Sequence, residues 1–226
     1  MWTWILIVII IYLASKYYQE NFINTKLSMD SITSIYDLLQ HITCAFDKNG
    51  IEYSITGGTL LGAVRHSGMI PWDDDGDIVV FNRTPEETVR VLQSELSKWG
   101  INAFIHPRGN ILNVVFEGRG GLIDVFFMSQ DPYDSKFKYH EPFGTQYPNE
   151  WFYHHELYPL REYTFGPLKL KGPNDAETFL NRGYGYDWKI ASKKWTTFRR
   201  PNENVVYDND FRPVLPVNLE IRKCDL

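Results

Sequence analysis

Two stretches of the chain carry apolar residues at the spacing of an amphipathic helix. In residues 28–49 the apolar positions recur every three or four residues, and Gly50 follows as a natural stop. Residues 84–99 repeat the pattern with a start signal, because Thr84 can cap the helix and Glu87 completes a capping box. The inward positions of this second helix are expected to be Val89, Leu92, Leu96 and Trp99.

Shorter runs of β-branched and aromatic residues predict strands at residues 51–55, 78–81, 103–105, 111–116 and 122–128. Short helices are expected at 59–66, between the first two strands, and at 175–182. Residues 129–159 are rich in Tyr, Pro, His and Phe and lack a clear period. We interpret them as a long insertion with the character of a lid.

The most apolar stretch of the chain is its beginning. Residues 2–14 contain Thr3 as their only clearly polar side chain, and aromatic residues flank them at both ends. A spanning helix needs roughly 17–25 residues, a length that 1–18 reaches when the flanking aromatic residues are counted as interfacial. We therefore predict a transmembrane anchor at 1–18, a tether at 19–27 and a catalytic-size domain at 28–226. A cleaved signal peptide and a buried core helix are the alternatives.

The composition is that of a folded domain with an acidic balance. The 226 residues (26.5 kDa) are 43% hydrophobic and 23% charged, which excludes disorder as a description of the whole chain. The net charge of −5 and the pI of about 5.7 argue against a surface built to bind nucleic acid. Cys44 and Cys224 form no CxxC or Cys/His pattern, so neither a disulfide scaffold nor a structural zinc site is expected.

A candidate phosphate-binding turn lies where the first predicted strand meets the helix at 59–66. Gly57 and Gly58 lack Cβ atoms, so the backbone there can approach a phosphate closely. A helix that begins at Thr59 adds free N–H groups and the positive end of its dipole. Such a turn is more often only a turn, and its significance depends on the acidic residues that follow it.

Acidic residues are concentrated immediately after this helix, at Asp73, Asp74, Asp75 and Asp77. In an extended segment Asp75 and Asp77 project from the same face, and two adjacent carboxylates repel each other unless a cation lies between them. Asp124 lies inside a strand that is otherwise apolar, where an unpaired charge is costly. A metal ion shared with Asp75 and Asp77 would compensate that charge. Hard oxygen ligands favour Mg²⁺ or Mn²⁺. Asp73 is either an outer or second-metal ligand or a residue that caps the loop.

Two other interpretations of the acidic run can be compared with the sequence. A solvated acidic turn is the ordinary explanation of an isolated DxD, and the position of Asp124 in an apolar strand counts against it. A calcium-binding EF-hand loop beginning at Asp73 needs Gly at its sixth position and Glu at its twelfth. The chain has Ile78 and Thr84 at these positions, so an EF hand is excluded.

The glycine turn and the acidic run belong to one continuous motif, GGTLLGAVRHSGMIPWDDDGDI, at residues 57–78. This motif resembles the signature of the LicD family, which includes bacterial phosphocholine transferases and the animal fukutin and fukutin-related ribitol-phosphate transferases. Downstream, the FGPL at 165–168, Pro173 and the GYGYDW at 183–188 are similar to a second family run. The similarity covers about 51–195 and leaves 129–159 without a pattern that aligns.

The resemblance implies an α/β (α+β) fold, with a nucleotidyltransferase-like mixed sheet flanked by helices beside the N-terminal membrane helix. It implies metal-dependent transfer of a phospho-alcohol from a CDP-linked donor to a hydroxyl of a glycan or glycolipid, with release of CMP. Together with the anchor, it implies a single-pass membrane protein, of Golgi or endoplasmic-reticulum type in a eukaryote. Lys16 and Lys26 after the span are weak support for a cytoplasmic domain.

The implied site has a donor-binding part and a metal-binding part. The donor-binding part comprises Gly57, Gly58, Thr59 and Arg65. The metal and catalytic part comprises Asp75, Asp77 and Asp124, with Asp73 as a further candidate ligand. Asp124 is the preferred acceptor of the proton of the attacking hydroxyl. For Arg65 the alternative role is to stabilise the C-terminus of its own helix.

Three other functions are compatible with parts of the pattern. A nucleotide-sugar glycosyltransferase also combines a DxD metal site with a membrane anchor, but there the hydrophobic strand precedes the DxD, whereas here it follows. A nucleotidyltransferase that uses nucleoside triphosphates shares the implied fold and would release pyrophosphate. A membrane-tethered binding protein with a defunct site is the third alternative, although all three predicted carboxylates are present.

Overall fold

A mixed sheet forms the centre of the computed structural model, which describes residues 27–190, 192–193, 205–206, 212–221 and 224. Its strands are β1 (Tyr53–Ile55), β2 (Gly76–Phe81), β3 (Ile101–Ile105), β4 (Ile111–Phe116), β5 (Ile123–Gln130), β6 (Phe137–Tyr139) and β7 (Trp151–Phe152). They follow the order β1-β2-β5-β4-β3, and β6 joins β5 and β7. The expected mixed sheet is therefore confirmed.

The sheet places two acidic positions side by side. Strands β2 and β5 run parallel, and Asp77 lies directly opposite Asp124 in their register. Because directly paired residues project to the same face of a sheet, both carboxylates lie on one side. Strand β2 also pairs with β1, and β5 also pairs with β4, so the pair β2–β5 lies inside the sheet with a strand on either side.

Three helices appear where the sequence pattern predicts them. They are α1 (Met29–Lys48), α2 (Gly57–His66) and α3 (Pro85–Leu96). Ser28 caps α1 by accepting a hydrogen bond from the Ser31 N–H at 3.1 Å. The predicted capping box of Thr84 and Glu87 at the start of α3 is also confirmed.

The end of the third helix differs from the prediction. Beyond α3 the chain tightens into a 3₁₀ turn, Ser97–Trp99, which rotates Trp99 away from the buried face. The Trp99 side chain is 45% exposed, so its predicted inward position is wrong, whereas Val89, Leu92 and Leu96 are buried.

Residues 129–159, interpreted from the sequence as a long insertion without a clear period, contain short elements that extend the sheet. They comprise the end of β5, the strands β6 and β7, and the one-turn helices α4 (Phe143–Gln146) and α5 (His154–Leu157). Elements of two to four residues are too short to produce a readable period, which is why no element was predicted here, and the role as a lid stays a prediction.

The C-terminal third adds a hairpin and one longer helix. The hairpin is formed by β8 (Arg161–Phe165) and β9 (Leu168–Gly172) and was not predicted. Helix α6 (Ala176–Tyr184), capped by Asp175, confirms the helix expected at 175–182. The two-residue strands β10 (Ser192–Lys193) and β11 (Val205–Val206) pair with each other.

The C-terminal segment (residues 212–221) lies along α1 and is followed by a disulfide. Cys44 of α1 is bonded to Cys224, with a Cα–Cα distance of 5.2 Å. The expectation that the two cysteines form no disulfide scaffold is therefore wrong in one respect, because they form one bond with each other. Their separation of 180 residues carries no spacing signal, so the pairing emerges only from the fold.

The predicted membrane anchor, 1–18, and all but the last residue of the tether, 19–27, lie outside the described residues. Within 27–190 and the shorter C-terminal stretches that the structure covers, no helix combines the length and the hydrophobicity needed to cross a bilayer.

Candidate active site

The N-terminus of α2 is occupied by the carboxylate of Asp77. Asp77 Oδ2 accepts hydrogen bonds from the N–H groups of Gly58 (2.7 Å) and Thr59 (3.4 Å). In return, the Asp77 N–H donates to Thr59 Oγ1 at 2.7 Å. The helix dipole and these donors favour the charged carboxylate. Two amides that the sequence assigned to a donor phosphate therefore hold an acidic side chain of the protein.

The two glycines at this helix end allow the acidic side chains to reach it. Gly57 has φ +50°, and a Cβ added there would lie 2.6 Å from Asp77 Oδ2. A Cβ on Gly58 would lie 2.5 Å from Asp73 Oδ2. Both distances are too short for any side chain, so glycine is required for the carboxylates of Asp73 and Asp77 to pack against α2.

The acidic loop, defined as Asp73, Asp74 and Asp75, gathers three carboxylates before β2. Each of the three offers an oxygen atom, and these atoms lie within 4.8 Å of one another. Asp74 is exposed, whereas the other two are half-buried. Asp73 and Asp75 were predicted as ligands from the sequence, whereas Asp74 was not. Asp77 and Asp124 lie outside this set of three, on the adjacent strands.

Asp124 is held by an asparagine on the neighbouring strand. Asn113 Nδ2 donates to Asp124 Oδ1 at 2.5 Å, and the two residues are paired in the register of β4 and β5. Asn113 is buried, and the sequence analysis missed it. Its signal was a single polar residue inside the otherwise apolar run of β4.

Burial and mutual repulsion perturb the acids of the site. Burial raises the pKa of Asp75 to about 7, with further contributions from the charges of Asp124 and Asp74. Burial also raises the pKa of Asp124 to about 6, against the hydrogen bond from Asn113, which lowers it. Repulsion between carboxylates thus adds to burial in favouring the protonated form of Asp75.

The pKa values of Asp73 and Asp77 are raised by burial and repulsion as well. Burial, followed by the charges of Asp75 and Asp74, raises the pKa of Asp73 well above its usual range. Burial, followed by the charges of Asp75 and Asp73, does the same for Asp77. A divalent cation would replace this repulsion by attraction, and all donors are carboxylate oxygens, the ligands that Mg²⁺ and Mn²⁺ prefer. The donor set therefore fits such an ion.

Arg65 lies between the acidic loop and the segment that follows α6. Its Nη1 donates to the carbonyl oxygen of Trp188 at 2.8 Å. Burial lowers the pKa of Arg65, while the nearby charges of Tyr184 and Asp73 act in the opposite direction. The guanidinium in turn lowers the pKa of Asp73. Arg65 is thus a half-buried cation beside the acids.

Polar side chains that the sequence analysis missed lie behind the acids. The hydroxyl groups of Tyr139 and Thr56 form a hydrogen bond of 2.7 Å, next to the start of α2. Burial, followed by the charges of Glu150 and Asp77, raises the pKa of Tyr184 well above its usual range. Tyr184 belongs to the GYGYDW run, which was the signal that could have identified it.

Comparison with known proteins covers the acidic residues and the glycine pair of this region. The sequence model of the family described as "LicD/FKTN/FKRP, nucleotidyltransferase domain" matches residues 50–175. The match includes the glycine pair, the acidic loop, Asp77 and Asp124, and it extends to the end of the β8–β9 hairpin.

Three relatives illustrate the range of similarity. An uncharacterized protein of Rickettsia prowazekii is 34% identical over 160 residues, which cover 70% of this chain and 57% of that protein. The lipopolysaccharide cholinephosphotransferase LicD of Haemophilus influenzae is 48% identical over 42 residues, 19% of this chain and 16% of that protein. The ribitol-5-phosphate transferase FKTN of Homo sapiens is 24% identical over 193 residues, 79% of this chain and 38% of that protein. The chain spans about half the length of the curated relatives it matches.

Proposed function

This chain belongs to the LicD/FKTN/FKRP family, and from that premise we propose that it is a Mg²⁺- or Mn²⁺-dependent phosphotransferase. It moves a phospho-alcohol from a CDP-linked donor to a hydroxyl of a glycan or glycolipid and releases CMP. Relatives named as a cholinephosphotransferase and a ribitol-5-phosphate transferase support the class of group transferred. The observation that carries the proposal has two parts: the oxygen atoms of the acidic loop lie within 4.8 Å of one another, and the adjoining strand β2 pairs Asp77, held by the Gly58 N–H, with Asp124.

The acidic loop would hold the metal ion, with Asp77 and Asp124 completing its surroundings. When bound, the ion neutralises the charge that develops on the phosphate oxygens during transfer. The chain's own contribution is to hold crowded acids in place: the Gly58 N–H fixes Asp77 and the Asn113 amide fixes Asp124. This rigidity lowers the reorganisation needed when the donor binds.

Asp124 is the proposed acceptor of the proton from the attacking hydroxyl. Its raised pKa of about 6 is closer to working pH than that of an ordinary carboxyl, which suits a general base. The hydroxyl oxygen forms a bond to the distal phosphorus while the bond from that phosphorus to the bridging oxygen breaks. CMP leaves with the bonding electron pair, and the proton passes to the carboxylate.

The donor is proposed to bind along the first turn of α2. Gly57, Gly58 and Thr59 would bring the backbone close to the phosphates of the donor, while the N–H groups of Gly58 and Thr59 hold Asp77. Arg65, already beside Asp73, supplies a positive charge at the same place. We assign to Arg65 a part in holding donor phosphate, together with its hydrogen bond to the segment after α6.

The acceptor and the location follow from the anchor. A single-pass helix at 1–18 would keep the domain at a membrane, of the Golgi or endoplasmic reticulum in a eukaryote, near glycolipid or glycan acceptors. The disulfide of Cys44 and Cys224 supports a domain on the oxidising side, because disulfides persist there. Lys16 and Lys26 favour the opposite orientation, and we give the disulfide greater weight.

Release of CMP tests the proposal. The full chain in detergent is incubated with CDP-choline or CDP-ribitol and a glycan acceptor, with Mn²⁺ or with EDTA, and CMP is measured by chromatography. We expect CMP release that EDTA abolishes and that falls at least about 100-fold in Asp75→Asn and Asp77→Asn. Asp30→Asn, an exposed acid on α1, is the matched control and should behave like the parent. Equal CMP release by Asp75→Asn and the parent would contradict the proposal.

The family description favours one second candidate. Because the matched domain is a nucleotidyltransferase domain, a reaction with a nucleoside triphosphate is chemically accessible to the same acids. Such an enzyme would release pyrophosphate and attach the nucleotide to the acceptor. Measuring pyrophosphate in parallel incubations with CTP or ATP separates this activity from release of CMP.

A further inference from the structure

A buried tyrosine of α1 joins the approach to the acidic loop with the C-terminal segment. Tyr36 is fully buried, and its hydroxyl accepts a hydrogen bond from the Met69 N–H at 2.9 Å. The same hydroxyl donates to the carbonyl oxygen of Val214 at 2.9 Å. Burial raises the pKa of Tyr36 to about 12, so the hydroxyl retains the proton that it donates. One side chain therefore ties together two segments that are remote in sequence.

The approach to the acidic loop, residues 67–72, also contacts the C-terminal segment directly. Met69 and Val214 form an antiparallel bridge in which the Val214 N–H donates to the Met69 carbonyl at 3.0 Å. A Cβ on Gly68 would lie 2.7 Å from the Pro213 side chain and 2.9 Å from the tyrosine hydroxyl. The three segments are thus in close contact, and the path of the approach is fixed by them.

The C-terminal segment is in turn fastened along α1. The Val217 N–H donates to Thr33 Oγ1 at 3.1 Å. Gln40 Nε2 donates to the carbonyl oxygen of Glu220 at 3.1 Å. The disulfide to α1 then closes the segment covalently. Through these contacts the C-terminal segment fixes the position of the approach relative to α1.

We propose that Tyr36 and the C-terminal segment are positioning elements that set the geometry of the acidic loop against Asp77. Met69 precedes Asp73 by only four positions, and the Asp73 N–H donates to the Ile70 carbonyl at 3.1 Å, so a shift at Met69 reaches the carboxylates directly. The inference rests on the proposed function in one respect: these carboxylates bind a divalent cation.

The test compares two buried tyrosines that each lose a hydroxyl. Tyr36→Phe removes two hydrogen bonds, one from the Met69 N–H in the approach and one to the Val214 carbonyl in the C-terminal segment. Tyr53→Phe is the matched control, because Tyr53 is also buried but its hydroxyl interacts with Thr43 and Lys171, remote from the approach. The readouts on the full chain in detergent are Mn²⁺ affinity by electron paramagnetic resonance without donor, hydrogen exchange at Met69, and thermal stability.

A positioning role predicts that Tyr36→Phe weakens Mn²⁺ binding about five- to tenfold, the factor that loss of one or two net hydrogen bonds gives. Exchange at Met69 should accelerate at the same time. Tyr53→Phe should lower the melting temperature by a similar amount and leave the Mn²⁺ affinity within about twofold of the parent. Parental Mn²⁺ affinity in Tyr36→Phe, or an equal loss in both variants, would overturn the inference.

A second variant covers the case in which Tyr36→Phe does not fold. Val214→Pro removes the N–H that donates to Met69 and leaves the tyrosine intact, and the same loss of Mn²⁺ affinity is expected. Failure of this inference can be distinguished from failure of the proposed function. A parent that binds Mn²⁺ but releases no CMP from any CDP-linked donor refutes only the proposed function. A parent that binds no Mn²⁺ overturns both.

Discussion

Replacing Gly57 by alanine is the most direct test of how the site is built. Gly57 has φ +50°, and an added Cβ would lie 2.6 Å from Asp77 Oδ2 and 2.9 Å from its Cγ. The change therefore imposes two separate penalties, a left-handed backbone on an L-residue and a collision with the carboxylate. Gly109→Ala is the matched control, because Gly109 has φ +68° and no atom within 4 Å of its added Cβ.

The two penalties differ enough to be measured. A left-handed conformation costs an alanine about 1–2 kcal/mol, and this term is common to both variants. In Gly57→Ala the carboxylate of Asp77 must also leave the Gly58 N–H, and a hydrogen bond to a charged group contributes about 1.5–3 kcal/mol. We expect the free energy of unfolding to fall by about 2.5–5 kcal/mol in Gly57→Ala and by about 1–2 kcal/mol in Gly109→Ala.

Urea unfolding gives the free energies, and Mn²⁺ titration gives the consequence for the site. Displacement of Asp77 should weaken Mn²⁺ binding at least about tenfold in Gly57→Ala, whereas Gly109→Ala should bind like the parent. Two results would refute the reasoning. One is parental Mn²⁺ affinity in Gly57→Ala, and the other is an equal loss of affinity in Gly109→Ala, which would assign the effect to general destabilisation.

Two further predictions concern charge. The pKa of Asp124 is about 6 in the folded protein and near 3.8 when unfolded, so the metal-free folded state binds more protons and loses stability as pH rises from about 4 to 7. Asp124 alone contributes about 3 kcal/mol to this loss, and the raised pKa of Asp75 adds to it in the same direction. Thermal melts across this range should show the fall, and Mn²⁺ should reverse it at pH 7.5; a melting temperature that rises would contradict it. Arg182→Met leaves the buried Glu156 without its partner at 2.8 Å and should destabilise by about 3–5 kcal/mol with unchanged Mn²⁺ affinity. Lys189→Met, which breaks an exposed pair, should cost less than about 1 kcal/mol in urea unfolding, and equal losses would count against this account.

The helices were predictable because their signals are local. The capping box of Thr84 and Glu87 lies within one turn, and the apolar stripe of α1 repeats over five turns of chain. The β8–β9 hairpin was not predicted because only β9 alternates between buried and exposed residues, over five positions, whereas the first four residues of β8 are exposed or half-buried. The disulfide was not predicted for a different reason. Its cysteines are 180 residues apart, and only the packing of the C-terminal segment on α1 brings them together.

Asp73, Asp75, Asp77 and Asp124 were named as ligands from the sequence, whereas Asp74 was not. Two side chains that support these acids, Asn113 and Tyr36, were not named either. An aspartate in an apolar strand is visible in a sequence, and so is a run of three aspartates. The amide of Asn113 and the hydroxyl of Tyr36 act through distances of 2.5 and 2.9 Å that depend on strand register and helix packing. Neither contact has a spacing of its own along the chain, so neither could be predicted without the fold.

The glycine turn and the acidic run form one physical unit, although the sequence suggested a phosphate-binding part and a metal-binding part. Gly58 donates to Asp77 and leaves space for Asp73, so the turn shapes the acids as much as it faces a ligand. The acids in turn neutralise the positive end of α2, which would otherwise attract any anion. A phosphate can approach this helix only where a divalent cation offsets the carboxylates already there. Binding of the donor and of the metal is therefore expected to be mutually dependent, because each supplies the charge that the other requires.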